Sequence, residues 1–196
     1  MPTGVAIRDV REQLFAAAER VLLRAGASGL TSRAVTEEAG VAKGVLHRHF
    51  ADFDDFLAAL VEDRIARLGE RSELLDPGTG SVAGNLTDAL TDLFETVAVS
   101  IVALIFARDA LRERLRRTTP VGVPLLTEAA AMLADYLRAE RDLGRIAADA
   151  DVDVLAPTLI GSGHLIAAGS GAPDAAEVRR TVTAVLGGVT SAGTER

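Results

Sequence analysis

The strongest constraint on this chain is the spacing of its apolar residues, which recur at three- and four-residue steps along most of its length. That period lines up one face of an α-helix, and no stretch has the two-residue alternation and turn chemistry of a strand hairpin. Val10, Leu14, Ala18, Val21, Leu22 and Ala25 predict a first helix over about 8–25, with Gly26 where a left-handed cap would close it. Thr31 is placed to cap a second helix that Gly40 stops after Ala39, and a third runs over about 43–49. Asp52 can cap a fourth, carrying Phe56, Leu57, Leu60, Val61, Ile65 and Leu68 to about Glu70.

The breakers Asp76, Pro77, Gly78 and Gly80 make 72–84 a surface loop. From Leu86 to Ile105 the pattern predicts one long helix, apolar nearly all round between Val97 and Phe106, as in a buried element. A charged segment, 108–117, ends at Pro120; a helix to about Asp142 follows, with Gly144 after it. Asp151 or Asp153 can cap the next helix, to about Ala168, and Asp174 and Glu177 have capping-box spacing at the start of the last. The expected class is all-α, with a compact three-helix unit at 1–50 and a larger helical bundle over 51–196.

Composition narrows the chemistry. With 48% hydrophobic residues the chain of 196 can bury a core, and with no cysteine it has neither disulfides nor thiolate ligands or nucleophiles. The first eleven residues lack the apolar core of a signal peptide, and no apolar run is expected to span a bilayer; a soluble, cytoplasmic protein with no membrane partner is expected. The net charge of −7 argues against a surface that coats nucleic acid, yet it is unevenly spread. Residues 1–50 hold seven basic against five acidic groups, a balance of +2, which leaves −9 for the remainder.

Gly40, Val41 and Ala42 separate two short helices by the length of turn found in a helix-turn-helix. The second of them, with Lys43, Gly44, Val45, His47, Arg48 and His49, offers basic and hydrogen-bonding groups around Leu46, the kind of surface that enters a major groove. At the start of the preceding helix Thr31, Ser32 and Arg33 can present hydroxyls, amides and a guanidinium to phosphate. Lys43 is the chain's single lysine.

The run Arg33-Ala34-Val35-Thr36-Glu37-Glu38-Ala39-Gly40-Val41-Ala42-Lys43-Gly44-Val45-Leu46-His47-Arg48-His49-Phe50, followed by Asp52-Phe53-Asp54-Asp55-Phe56-Leu57, resembles the DNA-binding signature of TetR-family transcriptional regulators over about residues 8–60. The resemblance implies a homodimeric repressor that a small molecule, bound in the larger domain, releases from palindromic operator DNA. His47 stands where the family usually has Tyr, Phe53 where it has Lys, Thr36 where it has Ala and Val45 where Thr or Ser is common. Phe53 cannot replace a cationic phosphate contact, so one or two such contacts are expected to be missing.

From the helices that line pockets in the family, the candidate effector residues are Phe56, Leu60, Arg64, Phe94, Val97, Ile101, Met132 and Tyr136, and a mainly lipophilic effector is expected. The last two helices suit a two-fold four-helix bundle, with Leu155, Leu159, Gly163, Ile166, Val178, Val182 and Val185 at the interface. Plain core packing explains the effector candidates equally well.

Other chemistry finds no support. Gly78-Thr79-Gly80-Ser81-Val82-Ala83 fits a loose dinucleotide pattern without the preceding strand, and Asp149, Asp151 and Asp153 lack the glycine and terminal glutamate of a calcium loop. His47 and His49 lie on different helix faces and His164 stands alone, so neither metal nor cofactor is expected. Gly161-Ser162-Gly163 is not a nucleophile elbow, and no catalytic constellation emerges. The alternative to a regulator is a helical small-molecule-binding or scaffold protein whose head has lost DNA affinity; an all-helical enzyme is the third reading.

Overall fold

The computed structural model describes residues 4–72, 75–94, 96–170 and 173–189, with side chains left out at 4–9, 71, 72, 96 and 170. Among the described residues there are helices and turns and no strand ladder. The helices are α1 (Gly4–Gly29), α2 (Ser32–Glu38), α3 (Val45–His49), α4 (Phe53–Ser72), α5 (Val82–Leu93), α6 (Thr96–Ala107), α7 (Asp109–Leu115), α8 (Leu126–Asp142), α9 (Val152–Ser170) and α10 (Ala175–Leu186). They form two compact units, one through Asp63 with Ser100–Val121, the other Arg64–Val99 with Gly122 onward. Helix α4 runs continuously through the point, between Asp63 and Arg64, at which these units part.

In the first unit, α1 is interrupted at Gly26, where φ 66° and ψ −175° make an extended, glycine-only break in place of the left-handed helical cap expected there. Its apolar stripe, Leu14, Phe15, Ala18, Val21 and Leu22, is buried, as are Val35 of α2 and Leu46 of α3. Phe50 and Phe56 complete this core: ring centroids lie 6.0 Å apart for Phe15 and Phe50, 5.7 Å for Phe15 and Phe56 and 5.1 Å for Phe50 and Phe56. Asp52 caps α4 by accepting the Asp55 N–H at 2.7 Å, which holds its carboxyl below the usual carboxylate range with help from Arg114.

The second unit packs α8 on α9 and α10 on both α5 and α9. Leu86, Leu90, Leu133, Leu137, Leu159 and Val182 are all buried there. Asp174 caps α10 through the Ala176 N–H at 3.0 Å.

Several sequence expectations are corrected. The single long helix from Leu86 to Ile105 is two helices: at Phe94, φ −94° and ψ 22° leave the helical region, and Glu95 lies outside the described residues. The Phe94 ring occupies the notch over Gly163 of α9, where an added Cβ would stand 2.6 Å from Phe94 Cε2. Helix α6 is also not closed all round, since Phe106 is 56% exposed. The loop after α4 ends earlier than Gly84, at Ser81, which caps α5 by accepting the Gly84 N–H; residues 73 and 74 of that loop are outside the described set. The charged segment after residue 108 is itself helical, as α7. Finally, the Val152–Gly169 stretch of α9 is long and apolar enough to cross a membrane by length and composition, with mean hydropathy 1.3, contrary to the expectation from sequence. Its Ala156, Leu159, Ile160 and Ala167 are instead buried in the protein.

Candidate nucleic-acid interface and ligand cavities

The turn between α2 and α3 is built by backbone bonding. Ala39 closes α2, Gly40 takes φ 66°, and the Val41 N–H returns to Thr36 O at 3.0 Å. The Thr36 side chain satisfies its buried hydroxyl within α2 by donating to Ser32 O or Arg33 O at 3.0 and 3.1 Å. Gln13 Nε2 donates to Ala39 O at 2.8 Å, and Arg20 and Arg24 hold Glu38 at 2.7 and 2.9 Å, so α1 braces the end of α2. Those two guanidiniums, with Arg20 foremost, keep the Glu38 carboxyl below its ordinary range.

This bracing fixes what faces outward. Leu46 is fully buried, whereas Lys43, Gly44, His47 and Arg48 are exposed and Val45 and His49 are half-buried. Lys43 and Gly44 lie in the turn ahead of α3, which begins at Val45 and not at residue 43. Nothing lies within 4 Å of where a Cβ on Gly44 would stand, so internal packing does not require glycine there. Thr31 caps α2 through the Ala34 N–H at 3.2 Å, Ser32 is half-buried, and exposed Arg33 pairs with Glu37 at 2.7 Å, which raises its pKa. Among the described residues Lys43 and Arg48 have no ion-pair partner. The surface thus offers two unengaged cations beside the end of a short helix.

Phe53 is fixed from two sides. Its ring stacks on Phe56 at 5.7 Å, and the Arg108 guanidinium lies 5.2 Å from its centroid. Arg108 also meets Asp54 at 3.3 Å, and Arg114 bonds Asp52 and reaches Asp55 at 3.5 Å. These long-range pairs tie α7 to the start of α4.

Two of the cavities in the second unit adjoin one another among the described residues. The larger, about 530 Å³, is lined by Ile65, Leu68, Gly69, Leu75, Pro77, Glu128, Ala131, Met132, Asp135 and Tyr136. The smaller, about 160 Å³, shares Leu68, Leu75 and Met132 and adds Asn85, Asp88, Ala89, Asp92 and Leu93. Of the expected effector residues, these cavities bring together only Met132 and Tyr136. Phe56, Leu60 and Ile101 are fully buried in the other unit, Phe56 within the aromatic cluster. Phe94 packs on Gly163 and on His164, 5.9 Å between centroids, while half-buried Arg64 and Val97 line neither cavity.

A polar network behind the larger cavity was not anticipated. The Tyr136 hydroxyl oxygen accepts from Asn85 Nδ2 at 2.9 Å and its O–H donates to Glu140, and burial followed by that carboxylate raises its pKa. Glu140 is wholly buried; it pairs with Arg145 at 3.3 Å and accepts the Gly78 N–H at 3.3 Å. Arg145 in turn donates to Gly80 O at 2.6 Å, which pins the loop before α5. The i, i+4 spacing of Tyr136 and Glu140 on α8 was the available signal.

The expected interface residues divide. Leu159, Gly163, Val178 and Val182 are buried inside the protomer, because α10 and α9 pack on α5 and on each other; they are not an outward face. Leu155, Ile166 and Val185 are half-buried. The open side of α9 carries Val154 (58% exposed), Gly161, Leu165 (74%) and Ala168 instead.

Comparison with known proteins follows this division. Residues 14–60 match the family model described as bacterial regulatory proteins, tetR family. A probable HTH-type transcriptional regulator, ArpR of Pseudomonas putida, is 32% identical over 76 residues, covering 36% of this chain and 36% of that protein; the chain thus spans about a third of that curated relative's length. Among solved structures, a TetR-family member from Streptomyces coelicolor is 25% identical with a TM-score of 0.61, covering 90% of this chain and 97% of that one. Reduced NemR of E. coli, 19% identical, has a TM-score of 0.71 over 94% of this chain and 99% of its own.

Proposed function

For a chain that belongs to the tetR family of bacterial regulatory proteins through residues 14–60, we infer a sequence-specific DNA-binding transcriptional regulator, a repressor released from its operator by a small molecule. The observation that carries this reading is the braced turn of 39–44, which leaves Lys43, His47 and Arg48 outward while Leu46 anchors α3 inward. In the proposed complex α3 enters the major groove; Lys43, Gly44, Val45, His47, Arg48 and His49 face bases and phosphates, and Thr31, Ser32 and Arg33 approach the adjoining backbone. Arg33 can exchange Glu37 for a phosphate, since a solvent-exposed ion pair holds it weakly. Phe53, held by Phe56 and Arg108, supplies no phosphate contact.

A homodimer through the open face of α9 would set two such helices on successive major grooves of a palindrome, roughly 34 Å apart or a multiple of it. The effector would occupy the cavities around Met132 and Tyr136. For release it must bind the DNA-incompetent orientation better, with a coupling of about 1–3 kcal/mol. Such a regulator would meet its operator DNA in the cytoplasm, and the family is one of transcriptional regulators.

The test is retention of the fragment upstream of the protein's own gene across a salt series. Affinity should fall log-linearly and steeply with salt, as phosphate neutralisation requires. Absence of retention at low salt, with the protein folded, would favour the reading of a helical ligand-binding protein whose head has lost DNA affinity.

A further inference from the structure

Part of the cavity wall is not helical. Leu75 borders both cavities and Pro77 the larger, and both belong to the strap of residues 75–81 that leads into α5. No residue of this strap is buried: its two apolar side chains, Leu75 and Pro77, are half-buried and the other positions are exposed. What holds it is a set of side-chain tethers from the elements behind. Glu140 accepts the Gly78 N–H at 3.3 Å, Asn85 Nδ2 donates to Thr79 O at 2.9 Å, and Arg145 donates to Gly80 O at 2.6 Å and reaches Thr79 O at 3.4 Å. A segment with so little apolar burial and an exposed backbone opens locally at a fraction of the cost of unfolding.

The groups beneath the strap favour that opening. Glu140 Oε2 and Arg145 Nε are buried without a hydrogen-bond partner, so their ion pair is incompletely compensated for its lost hydration. Water admitted by a displaced strap would satisfy both atoms. Tyr136, which lines the larger cavity, stands where the tethers meet: Asn85 donates to its hydroxyl as well as to Thr79, and Glu140 accepts its O–H as well as the Gly78 N–H. Resting on the effector reading above, we propose that residues 75–81 are an entry strap, which swings off Glu140, Asn85 and Arg145 as a unit and admits a ligand to these cavities while α5, α8 and α9 stay folded. Arg145 is the principal latch, because its guanidinium holds two successive carbonyls.

The chain has one tyrosine and no cysteine, so opening can be read at single sites. Hydrogen exchange of the Gly78 amide follows the strap, and nitration of Tyr136, 3% exposed when the strap is closed, follows entry of a small molecule, tetranitromethane. In the unmodified chain both rates should be insensitive to low urea, because the opening exposes little surface; exchange of the Leu133 and Leu137 amides of α8 should rise with urea and be slower by about tenfold or more. Asn85→Ala should speed Gly78 exchange about two- to tenfold, the worth of one hydrogen bond. The exposed Leu143 side chain would lie 3.3 Å from a Cβ on Gly78, so Thr79→Cys with Leu143→Cys allows a short bismaleimide to staple the strap shut. Stapling should slow Gly78 exchange and nitration by about tenfold or more. Gly78 exchange and nitration that share the urea dependence of Leu133 and Leu137, or that the staple and Asn85→Ala leave unchanged, would overturn the proposal. Neither reading uses DNA. A strap that opens in a chain that does not retain its operator would stand while the regulator reading fell; operator retention with a strap exposed only by global unfolding would do the reverse.

Discussion

Gly163 and Phe94 set up an experiment in which two locations of one glycine give opposite results. Inside the protomer, a Cβ at position 163 would lie 2.6 Å from Phe94 Cε2, 2.8 Å from Cδ2 and 3.4 Å from Leu90 Cδ2. Carbon atoms at optimal separation are about 3.5–4.0 Å apart, so the ring must retreat by about 1 Å. Phe94 is 1% exposed and bordered by His164, so it has little room to do so. Overpacking of this kind costs about 1–3 kcal/mol, whereas Gly→Ala within a helix gains about 1 kcal/mol in propensity. Gly163→Ala alone should therefore be neutral to destabilising by about 2 kcal/mol. In a Phe94→Leu background the obstruction is gone, and the same substitution should stabilise by up to about 1 kcal/mol. The quantity to measure is the coupling in the double-mutant cycle, about 1–3 kcal/mol, from urea unfolding at one fixed protomer concentration. Coupling below about 0.5 kcal/mol, with Gly163→Ala shifting dimer dissociation instead, would place Gly163 at an interface between protomers and refute the packing argument.

Four further outcomes are expected. Lys43→Ala and Arg48→Ala should each abolish operator retention in a gel-shift assay while the circular dichroism spectrum stays unchanged; retained binding in both would show that the recognition surface lies elsewhere. Leu165→Glu should convert dimer to monomer in sedimentation at micromolar concentration, whereas a dimer that persists would exclude the open face of α9. Arg145→Met leaves the wholly buried Glu140 carboxylate without its cation and should lower unfolding stability by about 3–5 kcal/mol; adding Glu140→Leu should recover much of that, and an additive double mutant would show that the pair is not coupled. Burial lowers the His164 pKa, so below about pH 6.5 the unfolded chain takes up a proton there more readily than the folded one. Stability should fall through that window as pH drops towards the folded-state pKa, and His164→Phe should remove that part of the slope; an identical pH profile in the variant would dismiss the linkage.

Much of the head was legible because its determinants are local. The capping of α2 by Thr31 and of α4 by Asp52, and the positive φ at Gly40, each involve residues within a few positions of one another. The outward set of Lys43, His47 and Arg48 around Leu46 follows from the same short-range arithmetic. The cavity walls were far less legible. Phe56, Leu60 and Ile101 are apolar and helical whether they line a pocket or fill a core, and only their neighbours separate the two.

The sequence by itself determined the all-helical class, the helix-turn-helix and the uneven distribution of charge, because helical period, capping and turn chemistry act over one to four residues. Only the tertiary structure decided that the expected long helix breaks at Phe94, that Gly163 faces that ring, and that Glu140 is buried against Arg145. Each of these depends on contacts between residues far apart in the chain, where a side chain's role is set by what another helix places opposite it and not by its own spacing.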